Sequence, residues 1–517
     1  MEGDRDDLTR RSVLQRTAAS GAGAVAGALA AGTGSGEAQG AVETVAAKEA
    51  WAASRAWCLS GNRLVKATGP GPFATTTAAR QVWRPGSIAE VVEVVKSLPP
   101  TTPIACVCGG HESSNAAIVA ASDAAVLDLA RLQAIEFATD SGGTLVTVGA
   151  GVVFRQLVEA VKAKGGALPV GTGPDVGVVG YVVNGGLSGY FSRRLGLLGQ
   201  RVESLTVVTA AGEVRVVKAG SELFTALLGA GSALGIVCDV TIRVADGSIL
   251  RSAEQRVVGF QSRAQAVAFA RDALRILRDR VLPTDAVSME LVVSGAKAVV
   301  VTVVFYDSFR GNPADFVRPL EELAARLDLP IVARATWTTW YQAAAALWPV
   351  LAEIKGSPLG MLQHCMGTEG APDDVILDFI ADTVVAEAPL DEAPFSIIEI
   401  RTLGGAVIEK TPLPTGNCRH RFFVDVITLY DAKGKTVEER EKIADLTARV
   451  VTKARGVRGL AVDFSGTHSQ PDDPRHAVEA NVIFGTETLA DVVRRQKTAL
   501  DPADRFRFHP FARLRLG

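Results

Sequence analysis

The sequence predicts an α+β protein of two domains behind a targeting segment, on three observations. At 517 residues the chain is too long for one ordinary core. Much of its glycine, 51 residues in all, crowds between Gly109 and Gly235, as loops pressed against a ligand would. After about Asp246 glycine thins and strand-like runs alternate with helical ones, the pattern of a sheet covered by helices.

Charge and composition narrow the class. The chain carries 54 Lys+Arg against 56 Asp+Glu and shows no basic stripe, so nucleic acid is not an expected partner. A hydrophobic share of 48% fits a folded enzyme. The six cysteines (Cys58, Cys106, Cys108, Cys238, Cys365 and Cys418) are scattered without zinc spacing, and no metal is expected.

The first element is a leader. Arg10-Arg11 precede a weakly apolar, Ala/Gly-rich run over 18–31 and a flexible stretch over 32–37. That run is too short and too glycine-rich to span a membrane. The pattern resembles a bacterial twin-arginine signal, with cleavage after Ala30 or nearer Ala38, and implies export to the periplasm or medium. Proteins exported folded carry their cofactor with them, so a cofactor is expected.

The first domain follows. Ser87 and Glu90 form a capping box for a helix over 88–98, stopped by Pro99 and Pro100. A short buried strand over 104–107 delivers the turn Cys108-Gly109-Gly110-His111-Glu112-Ser113-Ser114-Asn115. Backbone N–H groups freed at such a turn make an anion site. Strands are expected over 124–129 and 145–148, then an amphipathic helix over 154–164. Next come Val170-Gly171-Thr172-Gly173-Pro174-Asp175-Val176-Gly177-Val178-Val179-Gly180-Tyr181 and Asn184-Gly185-Gly186-Leu187-Ser188-Gly189. Glycine this dense, interleaved with Thr, Asn and Ser, suits backbone laid against phosphates or a flat ring. A strand over 205–209, a short helix over 224–229 and a strand over 236–244 close the domain. No strict GxGxxG or Walker A sequence occurs, which disfavours a Rossmann site.

In the second domain helices are expected over 264–281, 316–327 and 436–453, with strands over 298–306, 401–409 and 421–429. The last helix, over 489–500, ends at Asp501-Pro502.

Together Gly109-Gly110-His111, residues 176–180, residues 185–189, residues 231–237, His420-Arg421 after Gly404-Gly405, and the run 497–506 resemble the berberine-bridge-enzyme-like branch of the vanillyl-alcohol-oxidase flavoproteins. The resemblance covers nearly all of the chain after the leader. It implies a two-lobed PCMH-type FAD-binding domain (46–245) and an α+β substrate domain with an antiparallel sheet covered by helices (246–465). A C-terminal segment (466–517) would complete the FAD lobe behind the leader (1–45). It implies FAD joined through its 8α-methyl to His111. The cofactor would be cradled by Val107, Cys108, Gly109, Gly110, Glu112, Ser113, Asn115, Gly171, Thr172, Gly173, Asp175, Val176, Gly177, Gly180, Tyr181, Asn184, Gly185, Gly186, Ser188, Gly189, Gly235, Ile236 and Val237. The implied reaction is hydride transfer from an alcohol or amine carbon of a carbohydrate or secondary metabolite to flavin N5, with molecular oxygen as acceptor. Alternatives are a dehydrogenase using another acceptor and a flavin-carrying binding protein without turnover.

The sequence also departs from the family. Gly173 stands where many relatives carry a second flavin-linking cysteine, so one covalent link is expected. Ala461-Val462-Asp463 stands where a Tyr-x-Asn motif often faces the flavin. The candidate bases are therefore Glu409, His420 and Tyr341, with His364 beside them. His509 could touch the flavin or lie at the surface.

Overall fold

The computed structural model describes residues 43–45, 81–110, 125–348, 359–431, 435–465 and 479–507. The twin-arginine leader, His111 to Asn115 and His509 lie outside the described residues.

Two larger sheets build the first domain, beside a two-stranded pairing of Gly166–Ala167 with Ala245–Asp246. In one, Gln81–Arg84, Ala125–Asp128 and Ile104–Val107 run parallel, with Glu43–Val45 antiparallel at the edge. Helix Ile88–Ser97 lays Val91, Val94 and Val95 into the core beside it. Half of the expected capping box forms: Ser87 Oγ accepts from the Glu90 N–H at 3.2 Å, while the Glu90 carboxylate takes the Gly86 N–H at 2.8 Å rather than that of Ser87. The other sheet is antiparallel, in the order Ile135–Asp140, Gly143–Gly149, Ile236–Arg243, Val202–Val208, Val214–Lys218.

The last described segment belongs to this domain. Helix Glu487–Leu500 packs on helix Glu222–Leu234, and Lys497 Nζ reaches Ala233 O at 3.0 Å and Asp501 at 2.6 Å. Arg505 then bonds three carbonyls of the first domain, Ala210 O (2.6 Å), Thr102 O (3.2 Å) and Val95 O (3.3 Å). Its own carbonyl accepts from Ile104 N–H at 2.7 Å, extending the strand that leads to the Gly109 turn.

The second domain is one eight-stranded sheet. Its order is Ile331–Trp337, Leu250–Gly259, Ala298–Tyr306, Val287–Ser294, Ile397–Thr402, Phe422–Asp431, Leu359–Thr368, Ala461–Val462, every pair antiparallel. One face is apolar and covered by helices such as Arg263–Ile276, Ala314–Arg326 and Val437–Arg455. The other face, with Ala253, Val304, Tyr306, Cys365 and Phe423, joins the core of the first domain.

One expected element is corrected. The strand read over 401–409 runs instead over Ile397–Thr402, and Ala406–Glu409 is a single helical turn. Gly404 and Gly405 between them have φ of 96° and 50°, outside the extended region, so the strand cannot continue.

Arg193 pins the domains together. Its side chain is fully buried and donates to Leu403 O (2.7 Å), Thr284 O (2.9 Å) and Leu282 O (3.0 Å) of the second domain, with Asp285 at 3.1 Å. Tyr306 and Trp340 reach back to Tyr190 O (2.7 Å) and Leu168 O (2.9 Å).

Candidate active site

Glycine brings two of the sequence-selected stretches into backbone contact. A Cβ on Gly109 would lie 2.2 Å from Gly177 N, and one on Gly177 would lie 2.4 Å from Gly109 N. No L side chain fits at either position, so the turn after strand Ile104–Val107 crosses directly over residues 175–180. Cys108 lies beside this crossing, its Cβ 3.1 Å from where a Cβ on Gly177 would stand. The second stretch is braced from beneath: Phe154 N–H donates to Val176 O at 3.0 Å and Arg155 N–H to Pro174 O at 2.8 Å. Asn184 Nδ2 closes the short helix Val178–Val182 on Gly180 O at 2.8 Å. Gly177→Ala is expected to part the crossing and lower flavin incorporation, read as the flavin-to-protein absorbance ratio of the purified chain. A ratio equal to wild type would refute this.

Tyr181 stands within this glycine-rich stretch. Its ring packs edge-on against Phe154 at 4.8 Å and fills the space beside Gly171 and Gly186. Its hydroxyl oxygen is enclosed and has no hydrogen-bond partner among the described residues. Burial pushes its ionisation well up, so the phenol is a neutral donor. A buried donor left without a partner costs about 1–3 kcal/mol and signals a group that a ligand would satisfy. The residues present therefore fit a bound dinucleotide: crossed glycine backbones, an enclosed phenol, and the Gly109-Gly110 turn beside them.

The other selected residues divide. Ser188 accepts from Phe191 N–H at 3.3 Å and belongs to its own turn. Gly235 ends helix Glu222–Leu234, and Ile236 and Val237 pair with Val208 and Val207 in the sheet. Gly189 faces the second domain, where a Cβ would lie 2.6 Å from Glu290 Oε1 and 3.0 Å from Arg401 Nε.

That contact leads to the residues the sequence reading missed. On the sheet face turned toward the first domain, Glu290 pairs across strands with Arg401, and Glu399 with Asp425. All four side chains are buried. Arg401 Nε donates to Glu290 at 2.7 Å, and its Nη2 meets Glu399. Asp425 Oδ2 accepts from Gln363 Nε2 at 2.8 Å. Burial first pushes Glu399 up, to about 7; Arg401 opposes this, and the Glu290 and Asp425 charges add to it. Burial opposes the Arg401 charge, but the three carboxylates outweigh it and hold the guanidinium protonated. The signal was present in the sequence: Asp425 and the pair Glu399 and Arg401 interrupt otherwise apolar strands, which a buried strand tolerates only if the charges are paired.

The four sequence-proposed bases lie elsewhere or are occupied. Glu409 is exposed at the end of its helical turn. Tyr341 gives its hydroxyl to Glu159 at 2.5 Å, and Lys162 Nζ sits 3.5 Å from its ring centre, so it brackets the domains. Burial and Glu159 push its phenol up to about 12. His364 sits on strand Leu359–Thr368 one residue out of phase with Gln363 and Cys365, so it points to the opposite face and bonds Asp463 at 3.0 Å. His420 is buried and stacked on Phe464 at 3.7 Å. Its Nδ1–H donates to Gly416 O at 2.7 Å, leaving Nε2 unpartnered among the described residues. Burial lowers its pKa to about 4, so the ring is neutral at neutral pH.

Residues 79–218 match the family model described as FAD binding domain. The FAD-linked oxidoreductase tazG of Aspergillus terreus is 33% identical over 166 residues, 31% of this chain and 32% of the relative. The chain thus spans about a third of the length of such curated relatives. Among solved structures, Physcomitrella patens BBE-like 1 superposes with a TM-score of 0.69 at 17% identity, over 95% of this chain and 97% of that one. A glucooligosaccharide oxidase of Acremonium strictum, with 6-S-cysteinyl, 8α-N1-histidyl FAD, gives 0.67 at 18% identity over 90% and 95%. The chain has the fold of these solved structures, and its residues 79–218 match an FAD binding domain.

Proposed function

We propose that this protein is an FAD-linked oxidoreductase, an oxidase that takes a hydride from an alcohol or amine carbon of a carbohydrate or secondary metabolite. The observation that carries this reading is the buried Glu290–Arg401–Glu399–Asp425 array, which lies on the sheet face turned toward the glycine loops of the FAD domain. Bound FAD supplies the hydride acceptor. Glu399 is the base: near neutrality it exchanges between its acid and its carboxylate, as removal of a hydroxyl or ammonium proton requires. Arg401, fixed by Glu290, holds the Glu399 carboxylate in place. Burial keeps bulk water from the array and strengthens its field on a developing charge.

His111 is the proposed covalent anchor, through the 8α-methyl of the flavin, and Gly173 leaves it as a single link. The named linkage in the Acremonium oxidase supports the chemistry of such an anchor. Oxygen is the proposed final acceptor, and the twin-arginine leader the proposed export route.

The purified protein should be yellow and stay yellow in the acid-precipitated pellet. His111→Ala should release its flavin on denaturation, read by intact mass. A bare-chain mass for wild type would remove the covalent claim. Bleaching of the flavin by an alcohol or amine without air, with peroxide formed on admitting air, tests the oxidase reading; flavin that no such compound bleaches would count against it.

A further inference from the structure

The seam between the domains holds a cation that no carboxylate answers. On the first-domain side, helix Phe154–Ala163 begins directly behind the glycine stretch, with the Arg155 N–H on Pro174 O at 2.8 Å. On the second-domain side stand helix Trp340–Ala344 and, one turn beyond it, Trp348. Their side chains stack in a column. The Arg155 guanidinium carbon lies 5.2 Å from the Trp348 ring centre, the Tyr341 ring meets Trp348 edge-on at 6.3 Å, and Lys162 Nζ sits 3.5 Å from the Tyr341 ring centre. One carboxylate, Glu159, serves this column. It stands four residues from Arg155, the spacing at which charges on a helix pair. Yet it is spent on the Tyr341 hydroxyl at 2.5 Å and on Lys162 at 3.7 Å. The Arg155 guanidinium is left stacked on an indole, with no ion pair or side-chain hydrogen bond among the described residues. A second observation is independent of that charge. Trp348 is 7% exposed, and its enclosed Nε1–H has no acceptor among the described residues. A buried donor of this kind normally has a partner.

We infer that this seam is a binding site for an organic carboxylate, held by Arg155 and Trp348. Both groups are donors, one charged and one neutral, so what completes them must accept twice and carry negative charge. A carboxylate does both: one oxygen takes the indole N–H and the other the guanidinium edge, in a charge-assisted bond. The charge count agrees. Glu159 and Lys162 offset each other, which leaves one positive charge for one carboxylate to neutralise; a phosphate dianion would overshoot it. A neutral carbonyl would satisfy the indole and leave the guanidinium unanswered. The site is separate from the Glu290–Arg401–Glu399–Asp425 array, and it stands whether or not the oxidoreductase reading does. Because Arg155 is tied through its own N–H to Pro174, a carboxylate bound here anchors its molecule beside the stretch 171–177.

The test uses the full chain as purified and three probes, benzoate, its neutral analogue benzamide, and inorganic phosphate, with binding measured by calorimetry. Benzoate should bind roughly tenfold or more tightly than either of the others, the margin of a charge-assisted bond over a neutral one. Arg155→Gln should bring benzoate down to the level of benzamide and leave benzamide unchanged. Trp348→Phe, which keeps a ring under the guanidinium and removes the N–H, should weaken benzoate severalfold. Arg155 is exposed, so its variant is expected to fold, and it decides alone should Trp348→Phe fail to fold. No benzoate binding, equal benzoate and benzamide affinities, phosphate bound as tightly as benzoate, or a benzoate preference that survives Arg155→Gln would overturn the inference. A protein that binds benzoate in this way while no alcohol or amine bleaches its flavin keeps the site and loses only the oxidoreductase reading.

Discussion

Glu399→Gln is expected to slow flavin reduction by substrate roughly 10²–10⁴-fold, the usual size of a general-base contribution. Glutamine keeps the shape and the contact with Arg401 but cannot accept a proton. In the wild-type protein the rate should rise with pH through about 7, as burial and the Glu290 and Asp425 charges hold the Glu399 proton up to that point. The variant should lose that rising limb, in a stopped-flow measurement without oxygen. A full-rate variant with the limb intact would assign the base elsewhere. Stability should show the opposite sign. The folded-state value of Glu399 lies above its ordinary 4.5, so the protonated group's contribution is complete below that value and is lost as pH rises through about 7. The Glu399→Gln protein should therefore lose less stability than wild type between those limits, as urea unfolding at several pH values would record.

Arg193→Ala should be the most destabilising single change between the domains, at about 3–5 kcal/mol. It strands the carbonyls of Leu403, Leu282 and Thr284 without their donor and leaves Asp285 unpaired. Arg193→Lys should recover little, because a single ammonium cannot reproduce a fork that meets carbonyls in several directions. Urea unfolding followed by both flavin fluorescence and far-UV circular dichroism checks this. The two signals should coincide in wild type and separate in the variant, as the domains come apart before either melts. An unchanged midpoint would mean that Tyr306 and Trp340 suffice to join them.

What the sequence revealed, and what it hid, follows from where each interaction lies along the chain. Local signals were readable: the Ser87 cap, the helix over Val437–Arg455 behind Thr436 and Glu439, and the glycine turns. The glycines marked the crossing of two loops, although their spacing could not say that Gly109 and Gly177 answer each other or that Gly189 answers Glu290. The strand continued past Thr402 by the sequence reading was ended by backbone geometry at Gly404 and Gly405. The buried array was hidden because it is assembled across strands: Glu290 and Arg401 lie 111 residues apart and become neighbours only through sheet register. Alternation would have helped. His364 drew attention as a histidine, yet its place one residue from Gln363 turns it to the helix-covered face, whereas Asp425, two residues beyond Phe423, must share Phe423's face.

The bonds of Arg505 to Val95, Thr102 and Ala210 set an order of assembly on the ribosome. The partners furthest apart stand 410 residues apart in sequence, and Ile104 cannot meet the Arg505 carbonyl until nearly the whole chain has been synthesised. The first lobe to emerge is thus among the last to close. The strand that leads to Gly109 waits, with one edge unsatisfied, while the intervening sheet domain folds as a unit of its own. Firm retention of the dinucleotide then becomes a post-translational event: nascent chains stalled before Arg505 should fold their eight-stranded sheet and still fail to keep the flavin.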